Sequence, residues 1–359
     1  MSIKMSVTRN PKLLCVAACL SWLAGMSAPS RAEIVLGGRN ASGALDGSGT
    51  NKSPAPYGLY NYEGSFGSYL ATPISPHYFV TAAHIGNGGG VFAFNNGTSS
   101  TTTYSVALAG TDNDLAIWHV TGGGAFSLYA PLFFGNNEVG EPLVSIGNGT
   151  TRGNPLTMNG ALAGWDVGRS FTNRSWQTNI VDAVYAPPSS SNDYLTFDFN
   201  RVADPLTGTV INPDEGIFSG GDSGGATFVL DPATGHYELA GINSDVDAVS
   251  LTSGGPGQTI ALFDARGFYT YDPTTNGNTQ LITDPNPVPL SSYATRISSR
   301  LGFVQQILGS EFPPLLIPLS GNRGNSIQDA VPEPGTVALL ISLGLTGANF
   351  FALRKRFRQ

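Results

Sequence analysis

The chain has 359 residues with a formal net charge of −7; 46 are glycine and only 12% are charged, about half the usual fraction. Eight of the eighteen Lys and Arg sit in two terminal segments, leaving ten basic against twenty-four acidic residues between 33 and 331 and a net charge there near −14. So acidic a region offers no basic patch to displace counterions, which excludes nucleic acid and anionic membrane surfaces as its partners.

In chain order, Lys4, Arg9 and Lys12 precede an apolar run from Leu13 to Gly25 and then Ser30-Arg31-Ala32, whose small first and third residues suit signal peptidase. Residues 1–32 are therefore expected to be a secretory signal, with Glu33 as the new terminus. Both cysteines, Cys15 and Cys19, lie inside it. The remaining domain has no disulfide and must be held by burial, which a chain of this length can supply. Val16-Ala17-Ala18-Cys19 has the outline of a lipoprotein cleavage site, but too few apolar residues precede it.

From residue 57 onward, short runs rich in β-branched and aromatic residues are bounded by Gly, Pro, Asn or Asp. Tyr57 to Tyr62, Tyr78 to Ala82, Leu115 to Val120, Leu143 to Ile146, Thr227 to Leu230 and Tyr237 to Ile242 are expected strands, the signature of an all-β sandwich or barrel. The Gly, Pro, Asn and Thr-rich stretches 40–56 and 247–290 are expected surface loops. Ser292 to Leu308 places Ile297, Leu301, Val304 and Leu308 at helical spacing and predicts a terminal amphipathic helix. The domain is bounded at 33–310, with 311–330 as a polar linker.

At the far end, Val331-Pro332-Glu333-Pro334 is followed by an apolar run from Thr336 to Leu353 and by Arg354, Lys355, Arg356 and Arg358. Eighteen apolar residues are about enough to cross a bilayer, and the basic cluster would stay cytoplasmic. A plain membrane anchor needs only that hydropathy. The Pro332, Glu333, Pro334 element makes 331–359 resemble a PEP-CTERM sorting signal. The resemblance implies an exosortase-type sorting enzyme as partner, a transient inner-membrane intermediate with helix 336–353, and a final place at the cell surface or outside the cell.

The chemistry concentrates at three points. Gly220-Gly221-Asp222-Ser223-Gly224-Gly225 sets a serine in a glycine turn, where the N–H groups of Gly221 and Ser223 can converge on a carbonyl oxygen. Thr81-Ala82-Ala83-His84 ends an apolar strand, and Asp112-Asn113-Asp114-Leu115-Ala116-Ile117 opens another. Together with the flank Gly67 to Val80, with Gly241-Ile242-Asn243-Ser244, and with Tyr293 to Leu308, they make residues 60–308 resemble chymotrypsin-like serine proteases.

That resemblance implies two six-stranded antiparallel barrels with a C-terminal helix, and an active site in the cleft between the barrels. It implies Ser223 as nucleophile, His84 as base and Asp114 as the orienting acid, with Asp112 the competing carboxylate. Ser244 matches a serine that bonds the acid. No cofactor is implied, and no His, Cys or Glu spacing suggests a metal. His77, His119 and His236 are expected to be structural, and Asp245 and Asp247 to be solvated loop charges. An esterase with a Gly-X-Ser-X-Gly elbow would need the order Ser, Asp, His, whereas the order here is His, Asp, Ser.

Two departures matter. Where trypsin-like members carry an aspartate six residues before the nucleophile, this chain has Ile217, with Phe218 beside it and Val246 in place of a pocket-opening glycine. An apolar specificity pocket of Ile217, Phe218, Ser244 and Val246 follows, favouring small or aliphatic residues in a protein or peptide substrate. The family's activating terminus is Ile-Val-Gly-Gly, whose amine pairs with the residue equivalent to Asp222. Here Ile34-Val35-Leu36-Gly37-Gly38 carries one residue more, and Ile34 is the expected partner of Asp222. The rival function is a catalytically silent, protease-like binding protein of the surface or matrix.

Overall fold

Alternating inward and outward residues define the strands of the computed structural model, which describes residues 33–313 apart from 171–173, 188–191, 203–209 and 272–279. The leader, the linker beyond 313 and the sorting tail lie outside the described residues.

After β1 (Ile34–Val35), six strands close an antiparallel barrel: β2 (Gly64–Phe66), β3 (Tyr69–Pro73), β4 (Tyr78–Ala82), β5 (Val91–Phe94), β6 (Thr102–Asp112) and β7 (Leu115–Gly122). Pairing of Phe66 with Phe92 joins β2 to β5 and removes the sheet edge. The interior is aromatic: Phe79 stacks on Phe92 at 4.4 Å between centroids, and Phe126 meets Phe92 edge-on at 5.6 Å. Such pairs add about 0.5–1.5 kcal/mol each beyond area burial.

The chain continues through β8 (Pro142–Gly147), β9 (Thr150–Met158), β10 (Ala161–Ser170), β11 (Ser175–Ile180), β12 (Ala183–Tyr185), β13 (Tyr194–Asp198), β14 (Gly216–Ile217), β15 (Ala226–Asp231) and β16 (His236–Val246). It ends with β17 (Val249–Ser250), β18 (Ala261–Leu262), β19 (Tyr269–Thr270), β20 (Ser291–Arg296) and a helix, α1 (Leu301–Leu308). The all-β architecture is as expected, the second barrel being a half-barrel of seven strands in the order β11-β8-β15-β16-β20-β13-β12. Both faces of that sheet are buried. Val144, Phe228 and Leu239 turn toward the closed barrel, while Leu143, Val229 and Ala240 turn the other way. This explains why the central strands β8, β15 and β16 carry apolar residues at successive positions.

Three expectations are corrected. Tyr57 to Tyr62 is not a strand: Pro56–Tyr62 forms 3-10 turns that Pro56 starts, broken by a kink at Tyr57 and Gly58, whose φ of 58° and 69° fit neither strand nor helix. Ser292 to Arg296 is not helical but lies in β20, paired on both sides, with Ser292 and Ala294 buried at a period of two; the helix is confined to Leu301–Leu308. The stretch 247–290 is not merely surface loop. Val249, Ile260, Leu262 and Phe268 join Ile34, Phe199 and Ile217 in a fourth apolar cluster, under the β9–β10 hairpin that periodicity did not announce.

The C-terminal helix returns to the closed barrel, where Phe303 and Ile307 pack on Gly110 of β6 and a side chain at that glycine would stand 3.0 Å from Ile307. Wholly buried Glu138 accepts from Arg296 Nε at 2.9 Å and from a second guanidinium nitrogen at 2.8 Å, and from Ser298 Oγ at 2.6 Å. Without Glu138 the Arg296 guanidinium keeps only Asp193, at 3.5 Å, so Glu138→Ala is expected to lower stability by about 1–3 kcal/mol in chemical denaturation. A loss below about 1 kcal/mol would mean Arg296 is re-solvated at no cost.

Candidate active site

His84, Asp114 and Ser223 come from three different connections and meet at hydrogen-bonding distance. His84 follows β4 directly in a single 3-10 turn. Asp114 sits in the tight β6–β7 turn, where Asn113 takes φ 54°, a conformation Asn tolerates better than most residues. The backbone N–H of Ala83 donates to Asp114 O at 2.8 Å and fixes the two turns together. His84 Nδ1 lies 2.9 and 3.0 Å from the two carboxylate oxygens of Asp114, and the His84 N–H donates to the same carboxylate at 3.0 Å. With Nδ1 carrying the proton toward that carboxylate, Nε2 is the acceptor for Ser223 Oγ, 2.8 Å away.

Ser244 Oγ donates to the remaining lone pairs of Asp114. Asp112 is the carboxylate left out: it accepts from Asn113 and faces Arg300 at 4.0 Å. Burial pushes the Asp114 carboxyl up, but hydrogen bonds from His84 and Ser244 outweigh it and hold the group below the usual carboxylate range. The bond to Asp114 raises His84, against the opposing effect of burial, with the charges of Asp114 and Asp245 adding to the rise. The site thus joins a carboxylate that stays charged to an imidazole whose protonated form is stabilised.

The nucleophile loop is shaped by its glycines. Gly221 has φ 107° and Gly224 φ 83°, and a side chain on Gly224 would collide with Thr81 Oγ1 and Leu70 O. The loop is thereby seated against β3 and β4, which carry the His84 turn. The N–H of Gly224 donates to Asn243 O and that of Gly225 to Asp222 O, while those of Gly221 and Ser223 have no partner among the described residues. Two unpaired donors flanking a serine hydroxyl are what an oxyanion requires.

A cavity of about 200 Å³ opens beside Ser223, walled by Phe218, Gly220, Ser244, Val246 and Thr259. Ile217 is not in it. That residue is fully buried, pairs with Ile34 across β1–β14 and belongs to the fourth apolar cluster, so its identity acts on packing rather than on the pocket floor. The His77 N–H donates to Glu311, His119 meets Tyr78 at a tilt of 45° and the His236 N–H bonds Thr234, so none of these histidines joins the site. Among the described residues no cluster of three or more His, Cys, Asp or Glu is placed to hold a metal ion.

Asp222 directly precedes Ser223 in the nucleophile loop. Its wholly buried carboxylate accepts from the N–H of Gly149 at 2.5 Å and of Ser219 at 2.7 Å, and from Ser219 Oγ at 3.1 Å. Ile34 is held in β1, paired with Ile217 of β14. The neighbour is Glu33: its Cγ and Asp222 Oδ1 both lie within 2.7 Å of the point a Gly147 side chain would occupy. Both carboxyl oxygens of Glu33 are buried without a partner, and Glu63 is buried nearby, accepting from Thr72 and the Ala226 N–H. Burial lifts Asp222 to about 7 and Glu63 to about 8, and with the charges of those two it carries Glu33 well above its ordinary value. Sequence reasoning missed this cluster, because a single Glu at the edge of a signal peptide reads as solvated.

Residues 330–356 match the PEP-CTERM protein-sorting motif. The match contains Pro332, Glu333, Pro334 and the apolar run, and it marks the chain for export through the cell envelope to the surface and for recognition by an exosortase. These residues lie outside the described part; none of the described helices is long and apolar enough to cross a membrane. No curated protein matches the chain.

Proposed function

We propose that the exported domain is a serine endopeptidase, acting through Ser223, His84 and Asp114 in the manner of the chymotrypsin-like hydrolases it resembles. The observation that carries this reading is the unbroken hydrogen-bonded line from Ser223 Oγ through both ring nitrogens of His84 to Asp114 and on to Ser244. His84 Nε2 takes the hydroxyl proton as Ser223 Oγ attacks the peptide carbonyl. The oxyanion is received by the Gly221 and Ser223 N–H groups, and Asp114 holds the imidazolium. His84 then returns the proton to the leaving amine, and water repeats the sequence on the acyl-enzyme. Before sorting, the run 336–353 would hold the chain in the inner membrane while the exosortase acts at Pro332-Glu333-Pro334.

Reaction of the secreted protein with a fluorophosphonate probe tests the reading. Labelling should occur and vanish in Ser223→Ala; absence of Ser223-dependent labelling would shift the balance to a silent surface or matrix binding protein. The small cavity closed by Phe218 and Val246 predicts cleavage after small or aliphatic residues in a peptide library. A preference for Lys or Arg directly before the cleaved bond would contradict it.

The raised His84 also fixes a pH dependence. The base must be neutral, so activity is lost as pH falls through a pKa lying above the ordinary histidine value of about 6.5. The acid limb of kcat/KM should therefore sit above pH 6.5. A limb well below it would show that the Asp114 bond does not stabilise the imidazolium.

A further inference from the structure

Beside the cavity at Ser223 lies a second one of about 410 Å³ that shares Asp245, Val246 and Thr259 with it. Its walls are chemically distinctive. Tyr185, Tyr194, Tyr271 and Tyr293 line it together with Asp245 and Asp247. Tyr185 meets Tyr293 edge-on at 5.9 Å and Tyr194 meets it at 6.1 Å, so the rings stand at steep angles to one another rather than in a flat stack. Asp247 is fixed as an acceptor, taking hydrogen bonds from Tyr293 Oη at 2.8 Å and from the Ser291 N–H at 2.9 Å. Asp245 is the exposed member, bonded only to the adjacent Val246 N–H. Among the described residues no Lys or Arg pairs with either carboxylate, whereas Glu138 and Asp193, which lie outside the sheet's strands, are matched to Arg296 and Arg300.

Aromatic faces around two unneutralised carboxylates attract cations and repel acids. The cavity is also reachable from the cleft. β15 pairs with β16 only as far as Ile242, so beyond Asn243 that edge of β16 is open where Ser244 to Val246 pass the site. A peptide laid along it would enter the second cavity a few residues before the bond presented to Ser223. We infer that this tyrosine and aspartate cavity is a specificity subsite for a basic side chain, Lys or Arg, two to four residues on the acyl side of the scissile bond. The inference deepens the endopeptidase reading and rests on it for the placement of that bond. The enzyme would then combine an aliphatic residue at the cut with a basic one upstream.

Binding separates the two ideas. Fluorescent peptides differing only in Arg, norleucine or Glu at one upstream position are titrated against the Ser223→Ala protein, in which cleavage cannot intervene. The Arg peptide should bind about tenfold more tightly than the Glu peptide at low salt, with the gap narrowing at high salt and collapsing in Asp245→Asn. Equal affinity for Arg and Glu at all three positions, or a preference that survives Asp245→Asn, overturns the subsite whether or not the wild type hydrolyses peptides. An Arg preference in a protein that shows no Ser223-dependent labelling would uphold the cationic subsite while sinking the catalytic reading.

Discussion

Ser223→Ala and His84→Ala are each expected to reduce kcat for a cleaved peptide by about 10⁶-fold, and the double variant by no more than either alone. The non-additivity follows from the geometry: Ser223 Oγ and His84 Nε2, 2.8 Å apart, act on one proton, so losing either partner removes the same step. Asp114→Asn should be milder, near 10⁴-fold, through loss of the tautomer that aims Nε2 at the serine. KM should move little, since Phe218, Val246 and Thr259 still wall the cavity in each variant. The residual rate in all three variants would come from the Gly221 and Ser223 N–H groups and from substrate positioning. Independent, multiplying losses at Ser223 and His84 would show that they do not work as a unit.

Much of this site was legible because its chemistry depends on local signatures. Glycine on both sides of Ser223, an apolar strand ending at His84 and a two-residue turn at Asp114 are short-range patterns, and each is positioned by backbone its own neighbours dictate. Three strands of the sheet, β8, β15 and β16, were legible for a related reason, since burial on both faces leaves an apolar run that needs no partner to be recognised. What was not legible depends on distant pairing. Tyr293 to Ile297 has residues compatible with either helix or strand, and the choice is made by β13 and β16 on its two sides. Ile217 looked like a pocket residue by its distance from Ser223, yet its partner is Ile34, nearly two hundred residues earlier. No periodicity encodes that pairing.

The same β1–β14 pairing yields the second large effect. In a chain extended through Ala32, Glu33, Glu63 and Asp222 are buried together with Arg174 the nearby cation, and all three acids are pushed up. An acid with a raised folded pKa binds more protons folded than unfolded, so its stabilising contribution is present at low pH and lost as pH rises. For Asp222, lifted from an ordinary 3.8 to about 7, the window runs between those values. Some three pH units at about 1.4 kcal/mol each would withdraw about 4 kcal/mol by pH 8. Cleavage after Ala32 changes the sign of the problem, because it creates an ammonium on Glu33, the residue that borders Asp222. A protein beginning at Glu33 should therefore keep its melting temperature between pH 5 and 8. One retaining residues before Glu33 should lose it progressively, and Glu33→Gln should relieve part of that loss. Parallel melting curves for the two forms across this range would rule out the amine as the counterion of Asp222. The nucleophile loop would then be held by the Gly149 and Ser219 N–H groups alone, and removal of the signal would have no part in forming the site.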